Sequence, residues 1–277
     1  MPAPLAVRLV IFDWAGTTID YGCQAPTGAF VEAFAARGVA VTTTEARGPM
    51  GVHKKDHIRA MFQAPDVARK WRAASGRKWA EADVEELYRV VTPLQVEAAK
   101  RYGTLVPGTR ECVAALRRRG VRIAATTGYF REAAEACYTA AGKQGYSPDF
   151  AICADEVPAG RPAPWMVYHA MEHLGVYPPA AVVKVGDTVA DIEEGRNAGV
   201  WSVGVIDTGN EMGLSHAELT RLGRSERSRR RAAIKARLIG AGAHAVVMSV
   251  AEVPDLVERI NHKLTTPHAR REPYSGR

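Results

Sequence analysis

Leu9-Val10-Ile11-Phe12-Asp13-Trp14-Ala15-Gly16-Thr17-Thr18 is the stretch on which the fold turns. Four consecutive apolar residues read as a strand covered on both faces, the pattern of a buried parallel sheet. An Asp at the end of such a strand, followed by a Gly/Thr turn, is how an α/β fold presents a carboxylate at the carboxyl edge of its sheet. An Asp there can also simply cap a turn. Asp13 therefore gains weight as a nucleophile only from motifs further along the chain.

Outward from that strand, which is read as Leu5 to Phe12, the chain changes character twice. From Tyr21 to about Lys100 it reads as helix. Phe30, Ala33 and Phe34 share a face, as do Ile58, Met61 and Phe62, and Val84, Leu87, Tyr88 and Val91. Gly38 and Ser75-Gly76 punctuate the helices, and Pro93 predicts a kink. After Gly103 strands and helices alternate: the strands are read at 121–126, 150–153, 182–185 and 200–205, and helices at 109–120, 131–141, 164–174 and 192–198. Alternation of this kind implies crossover connections and a parallel sheet with helices on both faces. The helical block is thus an insertion, with hinges near Tyr21-Gly22 and Gly103-Thr104. The expected division is a catalytic core of residues 1–21 and 101–264, a helical cap of 22–100, and a disordered tail of 265–277 without apolar periodicity.

Composition narrows the class. The 277 residues can bury a full core, and 47% hydrophobic with 24% charged content suits a soluble globular protein. No apolar run approaches the roughly 18 residues that a membrane span needs. Met1-Pro2-Ala3-Pro4 has no signal-peptide pattern, and Cys23, Cys112, Cys137 and Cys153 form no metal or C-x-x-C spacing, so a cytoplasmic protein with reduced thiols is expected. The net charge of +7 is confined to Arg221–Arg237, where eight basic residues face Glu226 alone. Without interleaved aromatics such a run reads as a solvated helix face and not as a grip on nucleic acid.

Three further motifs follow in order, each at or after a strand's carboxyl end. Thr126-Thr127-Gly128 offers a hydroxyl and a backbone N–H to phosphoryl oxygens. Arg161, in Ala159-Gly160-Arg161-Pro162, offers a guanidinium able to hold two such oxygens at once. Val185-Gly186-Asp187-Thr188-Val189-Ala190-Asp191 offers two carboxylates four residues apart, hard oxygen ligands of the kind that suit Mg²⁺. In the helical block, Pro49-Met50-Gly51-Val52-His53-Lys54-Lys55-Asp56-His57 places Lys54 at a helix start beyond a glycine turn. His57 is one turn on along the same face, and Lys55 points elsewhere. A lysine on such a helix is commonly a solvated residue, as Lys55 is read to be.

The four ordered motifs resemble the haloacid dehalogenase superfamily, and they imply a Rossmann-like α/β core with an inserted all-helical cap. Most phosphatases of that superfamily carry a second Asp two residues after the nucleophile; here that position is Ala15. That departure, together with Asp20-Tyr21-Gly22-Cys23, the segment around Lys54, Thr127-Gly128-Tyr129, and Val157 to Met166, resembles the phosphonatase branch from Val7 to about Gly213. The resemblance implies carbon–phosphorus hydrolysis of phosphonoacetaldehyde in phosphonate degradation. Asp13 would be the nucleophile and Lys54 the Schiff-base amine, with Arg161, Thr127 and Gly128 on the phosphoryl group and His57 near the reaction. It further implies Mg²⁺ on Asp13, Asp187 and the Ala15 carbonyl with Asp191 in support, a pocket including Cys23, Met50 and Tyr129, and a homodimer through the caps. His53 and Lys55 depart from the family's more apolar residues, and an added charge near Lys54 would lower its pKa. The competing readings are a cap-bearing phosphatase acting on a phosphate ester, against which Ala15 counts, and a nucleic-acid module, which leaves the four motifs unexplained.

Overall fold

The structure, a computed structural model, describes residues 5–265. Its centre is a six-stranded parallel sheet in the order β3-β2-β1-β4-β5-β6. The strands are β1 (Leu9–Phe12), β2 (Arg122–Thr127), β3 (Phe150–Cys153), β4 (Val182–Gly186), β5 (Trp201–Val205) and β6 (Ala245–Val247). The first strand lies in the middle, so the order reverses on either side of it. The crevice beyond the carboxyl ends of β1 and β4 is where folds of this type bind ligands.

Alternation along β1 explains why all four of its residues are apolar. Val10 and Phe12 join a cluster with α6 (Thr109–Arg118), α7 (Arg131–Gly142) and α12 (Val253–Thr265), whereas Leu9 and Ile11 pack on the other face with α8 (Trp165–His173). Between β1 and α6 the chain forms five helices, α1 (Gln24–Ala35), α2 (Thr43–Arg47), α3 (Lys54–Gln63), α4 (Pro65–Ser75) and α5 (Glu81–Arg101). They bury an apolar cluster of their own around Phe30, Phe34, Ile58, Phe62, Trp71 and Leu87. The expected α/β class with an inserted helical cap is thus the observed one.

Several elements differ from the sequence reading. The first strand starts at Leu9 and not Leu5, whereas α5 is one helix through Pro93, as read. Helix α9 (Val189–Asn197) begins three residues before the expected Ile192, because Thr188 and Asp191 close a capping box around its first turn. Unread in sequence were α2, α10 (His216–Arg221), β6 and α12; the basic run lies in α11 (Arg224–Gly240). The expected tail lies outside the described residues except for Thr265, which ends α12, and Met1–Pro4 lie outside them as well. No helix among the described residues is long and apolar enough to cross a membrane.

The first crossing into the insertion is conformationally demanding. Asp20 and Cys23 adopt left-handed φ values of 54° and 52°, a region non-glycine residues seldom enter. Asp20 is held there from several sides. Its N–H donates to the Thr104 carbonyl of the return crossing, and its carboxylate accepts from the Gln24 and Ala25 N–H groups at the start of α1 (3.0 and 2.9 Å). Burial raises its pKa to about 7 despite those two bonds.

Candidate active site

Asp13 follows β1 directly, and its N–H still pairs with the Val185 carbonyl of β4 at 2.9 Å. The turn behind it is tied to Trp14, whose carbonyl accepts from the N–H groups of Thr17, Thr18 and Ile19. Gly16 has φ 86°, and a Cβ there would collide with the Asp187 carboxylate, so the turn needs glycine. Asp187 leaves β4 beside it, held by the Thr17 hydroxyl at 2.9 Å and the Asn210 N–H at 2.7 Å. Carboxylate oxygens of Asp13, Asp187 and Asp191 all lie within 4.8 Å of one another.

Three buried carboxylates this close repel. Burial, followed by the Asp191 charge, raises the pKa of Asp13; burial, followed by Asp13, pushes Asp187 well above its ordinary range. Asp191 goes the other way. Burial opposes its charge, but Arg161 and Lys184 together bring it down to about 2. Its Oδ1 lies 2.6 Å from Lys184 and 3.0 Å from Arg161, and its Oδ2 accepts from the Thr188 hydroxyl at 2.6 Å. Glu194 completes the buried set, 2.9 Å from Arg161 Nε. Arg161 and Lys184 against Asp13, Asp187, Asp191 and Glu194 leave two negative charges over when all are ionised, the complement of one divalent cation. Hard oxygen donors and that imbalance fit a metal ion, which would hold Asp13 and Asp187 ionised.

Arg161 does not present the two-pronged grip expected of it. Its Nη2 donates to the carbonyl and hydroxyl of Thr126, both at 2.8 Å, and its Nε is held by Glu194. Only Nη1 reaches the site, donating to Asp13 Oδ1 at 2.8 Å. The guanidinium is thereby fixed beside Asp13 by Thr126 and by Glu194, a side chain the sequence reading did not single out; nor did it single out Lys184, which pairs with Asp191. Lys184 was legible: a lysine amid Val182-Val183 and Val185 in a doubly covered strand requires a buried partner.

The cavity above Asp13 brings together nearly all the expected residues: Asp13, Ala15, Cys23, Met50, Lys54, Thr127, Gly128, Tyr129 and Arg161 line it. Asp187 and Asp191 stand in the carboxylate cluster beneath. Lys54 is the first residue of α3, is 3% exposed, and carries its amine 4.8 Å from the centre of the Tyr129 ring. Burial lowers its pKa to about 8; Cys23 and Asp13 oppose that shift, and Arg161 adds to it. Gly128 is required by contact, since a Cβ there would sit 2.6 Å from the Gly51 oxygen.

His57 is where reading and structure part. It does not line the cavity but sits inside the cap, its ring stacked on Phe30 at 3.8 Å and its Nε2 donating to the Ala46 carbonyl at 2.9 Å. The stripe Lys54, His57, Ile58, Met61, Phe62 faces the cap's own core, and only its first member overhangs the end. Burial, reinforced by Lys54, keeps His57 well below its ordinary pKa, so it is neutral and structural.

A family profile for haloacid dehalogenase-like hydrolases matches residues 7–199. Phosphonoacetaldehyde hydrolase of Bacillus thuringiensis (strain Al Hakam) is 43% identical over 92% of this chain and 97% of its own. The enzyme of the same name from Nitratidesulfovibrio vulgaris is 45% identical over 93% and 92%. The crystal structure of a phosphonoacetaldehyde hydrolase-like protein from Oleispira antarctica superposes with a TM-score of 0.92 at 38% identity, covering 96% of this chain and 95% of its own. These likenesses agree with one another: the chain belongs to the haloacid dehalogenase-like hydrolases and, among them, to the phosphonoacetaldehyde hydrolase family.

Proposed function

We propose that this chain cleaves the carbon–phosphorus bond of phosphonoacetaldehyde to give acetaldehyde and phosphate. The observation that carries the reading is Lys54: a buried amine, brought down to about 8, on the same cavity as Asp13 and with Ala15 where an ester-cleaving relative would need an acid. A carbanion is a poor leaving group and a carboxylic acid cannot rescue it. An amine can, because condensing with the neighbouring aldehyde turns the departing electron pair into an enamine.

The steps use the chain's own groups. Neutral Lys54 adds to the aldehyde and loses water, forming an iminium. An Asp13 carboxylate oxygen attacks phosphorus, the carbon–phosphorus bond breaks, and its electrons flow into the enamine. Protonation at carbon and hydrolysis release acetaldehyde and restore Lys54, and water cleaves the aspartyl phosphate. Arg161 Nη1, the Thr127 hydroxyl and the Gly128 N–H, all from residues that line the cavity, would neutralise phosphoryl charge as it develops. Mg²⁺ held by Asp13, Asp187 and the Ala15 carbonyl, with Asp191 in support, would supply further charge neutralisation when bound.

The same reading divides the chain into a core of 1–21 and 101–264 and a cap of 22–100, paired cap to cap in a homodimer. All four cysteines are free and buried, which agrees with a cytoplasmic enzyme. Phosphate release from phosphonoacetaldehyde, compared with a panel of small phosphate esters, tests the function. Release at least about a hundredfold faster from the phosphonate, lost in chelator and restored by Mg²⁺, is expected. Faster release from an ester would favour a phosphatase instead.

A further inference from the structure

Between α2 and α3, from Arg47 to His53, the chain runs without helix as a strap across the cavity. The middle of the strap rests on the core: the Gly51 carbonyl accepts from Arg161 at 3.4 Å, and Gly128 lies under the Gly51 and Val52 oxygens. Its two ends are fastened by side chains that the proposed chemistry leaves unused. At one end the Arg47 guanidinium donates to the Gly22 carbonyl (2.8 Å) at the first crossing, and to Asn210 Oδ1 (3.2 Å) and the Gly213 carbonyl (3.3 Å) on a core loop. Asn210 returns a bond to the Arg47 carbonyl at 3.2 Å, while its N–H holds Asp187.

At the other end His53 caps α3 and reaches the core. The Lys55 N–H donates to His53 Nδ1 at 3.3 Å, which makes Nδ1 the acceptor and leaves the proton on Nε2. Nε2 then donates to Asp155 Oδ1 at 2.9 Å, and the other oxygen of Asp155 accepts from the Arg131 N–H at the start of α7. Both fastenings are polar; the His53 and Asp155 side chains are 21% and 34% exposed and the Arg47 contacts are half-buried, so they can open and re-form. Opening is obligatory, because the cavity in this closed form measures about 20 Å³, room for a water but not for a substrate.

We propose that Arg47 and His53 are positioning residues, latching the strap to the core at either end and holding Lys54 dry over Tyr129 while both contacts stand. Cys23, Asp13, Arg161, Cys137, His57 and Tyr129 face Lys54, and none of these six belongs to either latch. Loosening a latch therefore changes Lys54 chiefly through water, and water raises its pKa toward that of a free lysine.

The inference rests on the proposed reaction only for the use made of Lys54, so its test does not depend on turnover. Trace acetylation of the full chain with acetic anhydride, followed by peptide mass spectrometry, gives the pH midpoint of Lys54 reactivity. In the unaltered chain that midpoint is expected near 8. His53→Asn keeps a helix-capping side chain but falls short of Asp155; it and Asp155→Ala are each expected to raise the midpoint by about one unit. Their combination should do no more than either alone, since both break one contact. Arg47→Lys, which keeps the charge but loses the fork, should raise it likewise, whereas Lys55→Gln should not. An unmoved midpoint in folded His53→Asn and Asp155→Ala proteins overturns the latch. Phosphate release by the unaltered chain, run in parallel, scores the reaction separately: a moved midpoint without turnover sinks the reaction and leaves the latch standing.

Discussion

Lys54 stands at 3% exposure with an amine whose pKa burial brings from 10.5 to about 8. Between those values the unfolded chain binds a proton that the folded chain does not, so stability rises with pH through that window and the whole penalty is present below about pH 8. A shift of that size corresponds to about 3 kcal/mol, to be taken as an upper figure. Function and stability therefore conflict at this residue. Lys54→Met is expected to abolish turnover yet raise stability at pH 7 by about 1–3 kcal/mol, with the gain shrinking toward pH 10.5. Urea denaturation at the two pH values measures this, and a less stable Met variant at pH 7 would show that burying the amine costs little. Lys54 was legible from its place beyond a glycine turn. The partners that fix Arg161 and Asp187 were not all so. Glu194 and Asn210 lie on a helix and a loop whose sequence carries no mark of the distant groups they hold.

At the scale of elements, the buried strands were legible because a doubly covered strand is apolar at every position, and Asp13, Thr127 and Asp187 all follow from strand ends. Helix starts were legible less often. Asp191 was read for chemistry alone, although it caps α9 together with Thr188, and Thr42 with Glu45 cap α2 by an identical device that went unread. The basic helix α11 divides. Among the described residues Arg229 and Arg230 pair with Glu226 on their own helix, as a solvated face should. Arg231 instead crosses to Asp207, just after β5. Asp207 opens the loop from which the Thr208 hydroxyl donates to the Gly16 carbonyl and the Asn210 N–H reaches Asp187. Which face of α11 meets that loop is decided by tertiary packing, beyond the reach of a charge count. Neutralising Arg229 and Arg230 together is expected to leave kcat/KM for phosphonoacetaldehyde within about twofold, and Arg231→Gln to lower it by about tenfold. Equal effects from the two variants would return Arg231 to the solvated face.

Over the whole molecule, one arrangement joins fold to chemistry. The central strand and its neighbour β4 bring the carboxylates together at the point where the strand order reverses, and an insertion after that strand lowers an amine onto them. In the proposed reaction neither half holds the complete site, so turnover would need closure, and closure would also remove the water that protonates Lys54. The helical block between β1 and α6 was legible as a shift from helical to alternating patterning; the tightness of the closed cavity was not, because it depends on contacts such as Gly51 on Gly128. The central claim is that Lys54 bonds covalently to the substrate's carbonyl carbon. Borohydride added together with phosphonoacetaldehyde should inactivate the enzyme irreversibly, and mass spectrometry should find a reduced two-carbon adduct on the peptide carrying Lys54, while borohydride alone leaves activity intact. Full activity after that treatment, with Lys54 unmodified and the substrate still cleaved, would contradict the account.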